Sequence, residues 1–190
     1  MKEIDVLDAV VATLTVGDTL LYPTDTIWGI GCDAANADAV EKIYALKQRD
    51  RSKSMLILCG GIAMVERFVG PVSGRVGELL CASARPTTVI MPLGSSLLAS
   101  NLVAADGTIG VRIPKMDFCQ RMLARFGRPV VSTSANLSGR PSPASYAEID
   151  EVLKQRVGFC VPLEYEEKTA GQSSRIVKLL SDGKVLVIRD

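Results

Sequence analysis

Two hydrophobic periods alternate along this 190-residue chain, and that alternation limits its fold more than any other feature. Ile4, Val6, Leu7, Val10, Val11 and Leu14 recur at helical spacing over residues 4–16, and Gly17 is a natural stop. Residues 18–22 read as a strand cut by Pro23, and a hydroxyl- and glycine-rich loop runs over 24–33. Val40, Ile43 and Tyr44 mark a helix over 37–47. Met55-Leu56-Ile57-Leu58-Cys59 is a wholly apolar strand closed by Gly60-Gly61. Short helical patterns fill 62–69 and 73–82, strands are predicted at 87–93, 108–113 and 129–133, and a helix at 116–126. A Ser/Pro/Gly loop over 134–145 leads into a helix over 144–154 and strands at 158–163, 175–180 and 184–188. Strands and helices alternate first and strands dominate later, which predicts an α/β fold with a mixed sheet. No repeat and no linker divides the chain, so one domain over 1–190 is expected, with 164–174 as its candidate mobile loop.

At this length folding buries roughly 70% of the unfolded surface, so the core needs no staples. With 47% apolar and 23% charged residues, the chain is neither disordered nor fibrous. It contains no histidine, which removes Ser-His-Asp and Cys-His catalysis, His-ligated zinc and imidazole relays. Chemistry here must run on Lys, Arg, hydroxyls, carboxylates or backbone groups. The net charge of +1 gives no global field for nucleic acid or membranes. Cys32, Cys59, Cys81, Cys119 and Cys160 are scattered, without a CxxC pair, and read as buried reduced thiols. The acidic start MKEIDVLDAV is not a signal peptide, and no apolar run reaches the ~20 residues of a membrane span. A soluble, cytoplasmic protein with no membrane partner is expected.

Three constellations carry chemical information. Lys47, Arg49, Arg51 and Lys53 alternate within seven residues, so an extended segment would set all four on one side. That suits a polyphosphate clamp; a solvated basic helix end would have the same composition. Ser132-Thr133-Ser134-Ala135-Asn136-Leu137-Ser138-Gly139 follows an apolar strand and is dense in hydroxyls, fit for a ligand loop or for a cluster of caps and turns. Arg112 lies in the otherwise apolar Ile109-Gly110-Val111-Arg112-Ile113 and must snorkel or find an anion; Arg189, near the end of the chain, poses the same question more weakly. There is no Walker A loop. The GxGxxA match at Gly29 is separated from its strand by residues 23–28, which a dinucleotide turn does not allow.

Together these segments resemble a known family. Tyr22-Pro23-Thr24-Asp25-Thr26-Ile27-Trp28-Gly29-Ile30-Gly31-Cys32-Asp33-Ala34 resembles the opening motif of the YrdC-like threonylcarbamoyl-AMP synthases. Lys47-Gln48-Arg49 is similar to their KxR motif, Ser134-Ala135-Asn136 to their SxN motif, and Val111-Arg112-Ile113-Pro114 to their VRxP strand. The resemblance spans about residues 20–189. It implies a YrdC-like α/β domain: a twisted mixed sheet with flanking helices and a concave basic face for substrates. It implies that L-threonine, bicarbonate or CO2, and ATP give threonylcarbamoyl-AMP and pyrophosphate, for threonylcarbamoyladenosine modification of tRNA. Carried over by position, Lys47 and Arg49 are the expected catalytic cations. Lys47, Arg49, Lys53, Thr108, Ser134, Asn136, Ser142 and Arg189 are expected on ATP, with Asn136 orienting the nucleotide loop. Thr26, Arg112, Ser132 and Ser174 are expected on L-threonine, Arg112 taking its carboxylate. Mg2+ is expected to arrive with ATP, with no dedicated protein site in the sequence. Direct tRNA contact and a downstream threonylcarbamoyl transferase are further expected partners.

Some positions depart from the family pattern. Asp50 and Ser54 replace prolines, and Asp50 puts a negative charge into the expected phosphate clamp. Ala84-Arg85-Pro86-Thr87-Thr88 loses a Gly-Pro turn and adds a cation. Leu58 stands where some relatives have a threonine-contacting His, and Met116-Asp117 replaces a His-Pro pair. Altered loops rather than lost activity are expected. An RNA-binding module and a non-synthase paralogue of the same fold remain the alternatives; the low aromatic content of 5% weighs against the first and the intact Ser-Ala-Asn against the second.

Overall fold

The first apolar stripe folds as helix α1 (Glu3–Thr15), which buries Val6, Leu7, Val10 and Leu14. The computed structural model describes residues 3–53, 55–166, 171–180 and 184–190, and its strands join into one nine-stranded mixed sheet. In chain order the strands are β1 (Leu20–Tyr22), β2 (Gly29–Gly31), β3 (Leu56–Leu58), β4 (Thr87–Pro92), β5 (Thr108–Arg112), β6 (Val130–Ser134), β7 (Phe159–Cys160), β8 (Arg175–Leu179) and β9 (Val185–Arg189). The remaining helices are α2 (Ala37–Lys47), α3 (Ile62–Phe68), α4 (Gly74–Cys81), α5 (Asp117–Phe126) and α6 (Glu151–Arg156). Across the sheet the order is β7-β1-β2-β6-β3-β5-β4-β8-β9. The β1/β7, β3/β5 and β4/β8 pairs are parallel and the other neighbours antiparallel.

Period two divides the strand side chains between two cores. Leu21, Ile30, Ile57, Val89, Ile109, Val111 and Val131 join the larger cluster, under α2, α3, α4 and α6. Leu20, Tyr22, Leu58 and Val130 face the other way and pack with α1 and with Phe118, Cys119, Met122 and Leu123 of α5. The side chains that share this second face further along the sheet are largely polar, and among the described residues they line an open cavity.

Several boundaries differ from the sequence reading. β2 lies inside the stretch read as a loop. Two glycines around Ile30 give no strand signal, yet they let β2 fit between its neighbours: a Cβ on Gly31 would sit 2.3 Å from the Val131 carbonyl and 2.9 Å from the Tyr22 ring. The helix predicted over 144–154 is split. Residues Tyr146–Glu148 form a single 3-10 turn, Ile149 is extended and buried, and Asp150 caps α6 by accepting from the Val152 N–H. The strand over 158–163 shrinks to β7, because Pro162 has no N–H for a ladder. Cys32, Cys59 and Cys119 are buried thiols, but Cys81 is exposed at the end of α4. Within 164–174, residues 167–170 lie outside the described residues, as does Ser54.

Candidate functional site

This cavity opens on the polar part of the second sheet face. Its floor follows from register. Ile90 pairs with Gly110, Leu56 with both Gly110 and Ser132, and Thr88 with Ile176. Thr88, Thr108, Arg112 and Ser134 lie at alternate positions of the same rows and line the cavity too. Gly110 keeps the floor low; a Cβ there would crowd Leu56 and Thr88 at 3.2 and 3.3 Å. Thr24, Thr26, Trp28 and Gly29 close one side, and Arg49, Ser142, Ser173, Ser174 and Arg189 are also part of the lining. Among the described residues the wall therefore carries three guanidinium groups, many hydroxyls and no carboxylate. Burial lowers the pKa of Arg49 and of Arg189, and for Arg189 the nearby Arg112 charge adds to it. Like cations concentrated in a partly dry cleft make an anion site.

The question raised by Arg112 has a structural answer. Arg112 is 3% exposed. Nη1 donates to Thr26 Oγ1 at 2.8 Å, Nη2 lies 3.5 Å from Asp25 Oδ1, and Nε is buried without a hydrogen bond. Thr24 donates its single hydroxyl hydrogen to the Ile27 carbonyl at 2.7 Å, so at 2.8 Å it accepts from Thr26. Arg112, Thr26, Thr24 and Ile27 thus form a directed chain that fixes the arginine head. Asp25 is held in turn by the Lys115 N–H at 3.0 Å. A preset guanidinium with unused donor capacity matches a carboxylate.

The basic run does not act as one side. Gln48 is the only non-glycine residue with positive φ among the described residues, at 50°, and it ends α2 in the left-handed region. The chain is therefore not extended there, and the four cations diverge. Lys47 points inward and is 1% exposed, Arg49 reaches the cavity, Arg51 pairs with Glu41 on α2, and Lys53 is exposed. The Lys53 carbonyl accepts from Arg49 Nε at 3.0 Å. Asp50 turns away from the cavity, accepting from the Ser52 N–H at 2.8 Å, and this bonding lowers its pKa. Lys47 donates to the carbonyls of Ser134 and Asn136 and to Asn136 Oδ1, while burial and the Arg49 charge bring its pKa down to about 7.

Of the positions carried over for ATP, Arg49, Thr108, Ser134, Ser142 and Arg189 line the cavity; Lys47, Lys53 and Asn136 do not. Asn136 is occupied within its own loop: Oδ1 accepts from Ser134 and Lys47, and Nδ2 donates to the Leu137 and Arg140 carbonyls. All four positions carried over for threonine line it. Ser174 bridges two strands, with its hydroxyl 2.8 Å from that of Thr88 and its carbonyl accepting from Arg189 at 3.1 and 2.7 Å. Thr108 donates to Asp106 Oδ1, which leaves it an acceptor toward the cavity. Leu58 is buried under α5, away from the wall. Arg85 pairs with Asp190. Sequence reading gave no role to Thr24, Trp28, Thr88 or Gly110. Alternation along β4 and β5 signals Thr88 and Gly110 once the facing of Arg112 is known. Trp28 packs against Tyr146 in a tilted pair with centroids 4.9 Å apart and donates to Glu166 at 2.6 Å, contacts that no local pattern encodes. Among the described residues no cluster of His, Cys, Asp or Glu is suited to hold a metal, and no helix is long and apolar enough to cross a membrane.

Known proteins resemble this chain over most of its length. The Sua5_yciO_yrdC family, described as "Telomere recombination", matches residues 12–190. A threonylcarbamoyl-AMP synthase of Pseudoalteromonas translucida (strain TAC 125) is 30% identical over 190 residues, covering 97% of this chain and 98% of its own. Another, of Xanthomonas campestris pv. campestris (strain B100), is 33% identical over 182 residues, covering 89% and 96%. The fold of P. abyssi Sua5 complexed with L-threonine superimposes with a TM-score of 0.87 at 22% identity, over all of this chain and 54% of that longer one. With residues 12–190 matched by the family model and relatives at 30% and 33% identity covering 97% and 89% of it, the chain belongs to the Sua5/YciO/YrdC family.

Proposed function

We propose that the chain is a threonylcarbamoyl-AMP synthase, making threonylcarbamoyl-AMP and pyrophosphate from L-threonine, bicarbonate or CO2, and ATP. The observation that carries this reading is the buried Arg112, fixed by Thr26 and with an idle Nε, in the same cavity as Arg49 and Arg189. One preset cation suits the carboxylate of an amino acid, and the others suit a polyphosphate. The unprotonated threonine amine attacks CO2, forming a C–N bond and a carbamate with loss of a proton. A carbamate oxygen then attacks the α-phosphorus of ATP, and the bond to the β-phosphate oxygen breaks to release pyrophosphate. Both nucleophiles belong to the substrates, so the protein's part is to position them and to balance charge. Arg49 and Arg189 offset the charge of the leaving pyrophosphate, while Thr26, Ser132 and Ser174 orient threonine. Among the described residues the wall offers hydroxyls and cations, so Mg2+ would enter with the nucleotide substrate, held by its phosphates. The product serves a transferase that modifies an adenosine in tRNA, in the cytoplasm. The test is pyrophosphate release with ATP, labelled bicarbonate and L-threonine. Release that requires all three and places label in a nucleotide supports the reading; release indifferent to threonine or bicarbonate removes it.

A further inference from the structure

We infer that Lys47 is a positioning residue that hangs the 134–138 loop on the end of α2, and that it does not touch the nucleotide. This rests on the proposal that the cavity binds a nucleotide. The geometry is specific. Lys47 is 1% exposed and is absent from the cavity lining, whereas Arg49, two residues on, is part of it. Its three contacts, to the Ser134 carbonyl, the Asn136 carbonyl at 2.6 Å and Asn136 Oδ1 at 3.3 Å, match the three N–H donors of an ammonium. No donor remains for a phosphate. The backbone joins in, because the Lys47 carbonyl accepts from the Ser138 N–H at 2.9 Å. Lys47 therefore grips the loop at 134, 136 and 138, on both sides of a buried Ala135 whose N–H donates to the Trp28 carbonyl at 3.0 Å.

The anchor itself is firm. α2 is capped by Asn36, which accepts from the Ala39 N–H, and Gln48 ends the helix in the left-handed region immediately after Lys47. A cation in the last helical turn is also favoured by the helix dipole. Ser134 and Ser142, which line the cavity, are carried at the start of this loop and beyond it, so the placement of the loop sets the wall of the site. The alternating charges around Lys47 thus divide their work: Arg49 faces the ligand, and Lys47 faces the loop that faces the ligand.

The experiment is equilibrium binding of ATP, ADP and AMP by the full chain, its Lys47→Met variant and its Arg49→Ala variant. A positioning role predicts that Lys47→Met weakens all three by one common factor, roughly 10- to 100-fold, because two loop carbonyls and an amide oxygen lose their donor. It predicts that Arg49→Ala gives a loss that grows from AMP to ATP. It also predicts coupling: combining Lys47→Met with Asn136→Ala costs no more than the worse single change. A Lys47→Met loss that grows with phosphate number, or that adds fully to Asn136→Ala, overturns the inference. If Lys47→Met does not fold, Asn136→Ala alone decides, since the same uniform factor is expected from it and a graded one overturns the idea. Failure of the unaltered chain to bind any of the three nucleotides is a separate result, which removes the nucleotide reading and the inference with it.

Discussion

Replacing Arg112 with Met tests the site most directly. The substitution keeps an apolar stem in β5 and deletes the guanidinium that donates to Thr26. Two effects follow. First, a substrate carboxylate loses a charge-assisted partner in a nearly dry position, where Arg112 is 3% exposed. Contacts of this kind are worth about 2.7–4 kcal/mol, or roughly 10²- to 10³-fold in rate. Second, Asp25, whose side chain is 12% exposed, keeps the Lys115 N–H but loses its cation, which costs folding stability about 3 kcal/mol. The assay is pyrophosphate release at saturating ATP with threonine varied, beside direct ATP binding and urea unfolding. KM for threonine should rise, with ATP affinity held within about threefold by Arg49 and Arg189, which the change leaves in place. Arg112→Lys should recover only part of the loss, because a point charge lacks the fork that spans Thr26 and a second acceptor. Adding Asp25→Asn to Arg112→Met should return stability but not threonine affinity. The reasoning is refuted if threonine KM is unchanged, or if ATP binding falls as far as threonine binding.

Other consequences are open to test. The Lys47 amine binds its proton less tightly in the folded chain, at about 7, than in the unfolded one, so the unfolded state holds more protons above neutrality and stability should rise with pH from about 7 to 8.5. Above that range buried Cys32 and Cys59, whose pKa values burial raises, act in the opposite sense; urea midpoints across the window should climb for the parent and stay flat for Lys47→Met. Gly31→Ala forces a Cβ to 2.3 Å from the Val131 carbonyl, and a loss of about 3 kcal/mol or failure to fold is expected, where a parent-like urea midpoint disproves the packing argument. Glu166→Ala leaves the indole N–H of Trp28 without its partner, so stability should fall by about 1–3 kcal/mol and the emission of this sole tryptophan should shift; unchanged emission would show that the bond is not formed. Asp50→Asn should leave KM for ATP within about twofold of the parent, since Asp50 is exposed and bonded to Ser52; a marked gain in ATP affinity would return Asp50 to the phosphate clamp.

Most of the element order was legible in the chain because it depends on local spacing, while the cavity residues named from sequence, such as Arg49, Arg112 and Ser134, came from resemblance to family motifs. Alternation fixes the facing of Thr108, Gly110 and Arg112 whatever lies around them, and a charged residue in an apolar strand needs an anion wherever the strand ends up. The lack of histidine limits the available chemistry without any coordinates. What spacing leaves open is direction at chain reversals and fit between distant segments. A single left-handed residue, Gln48, sends Lys47 inward and Arg49 outward, so four cations that look equivalent in sequence take different environments. β2 fits between its two neighbours because Gly29 and Gly31 bring no side chain to the close contacts with Ser132, Val131 and Tyr22. Trp28 meets Glu166 across 138 positions of chain. Local pattern determines which groups this chain possesses and which way a strand presents them; close packing between segments remote in sequence decides which of those groups face a ligand and which hold the wall in place.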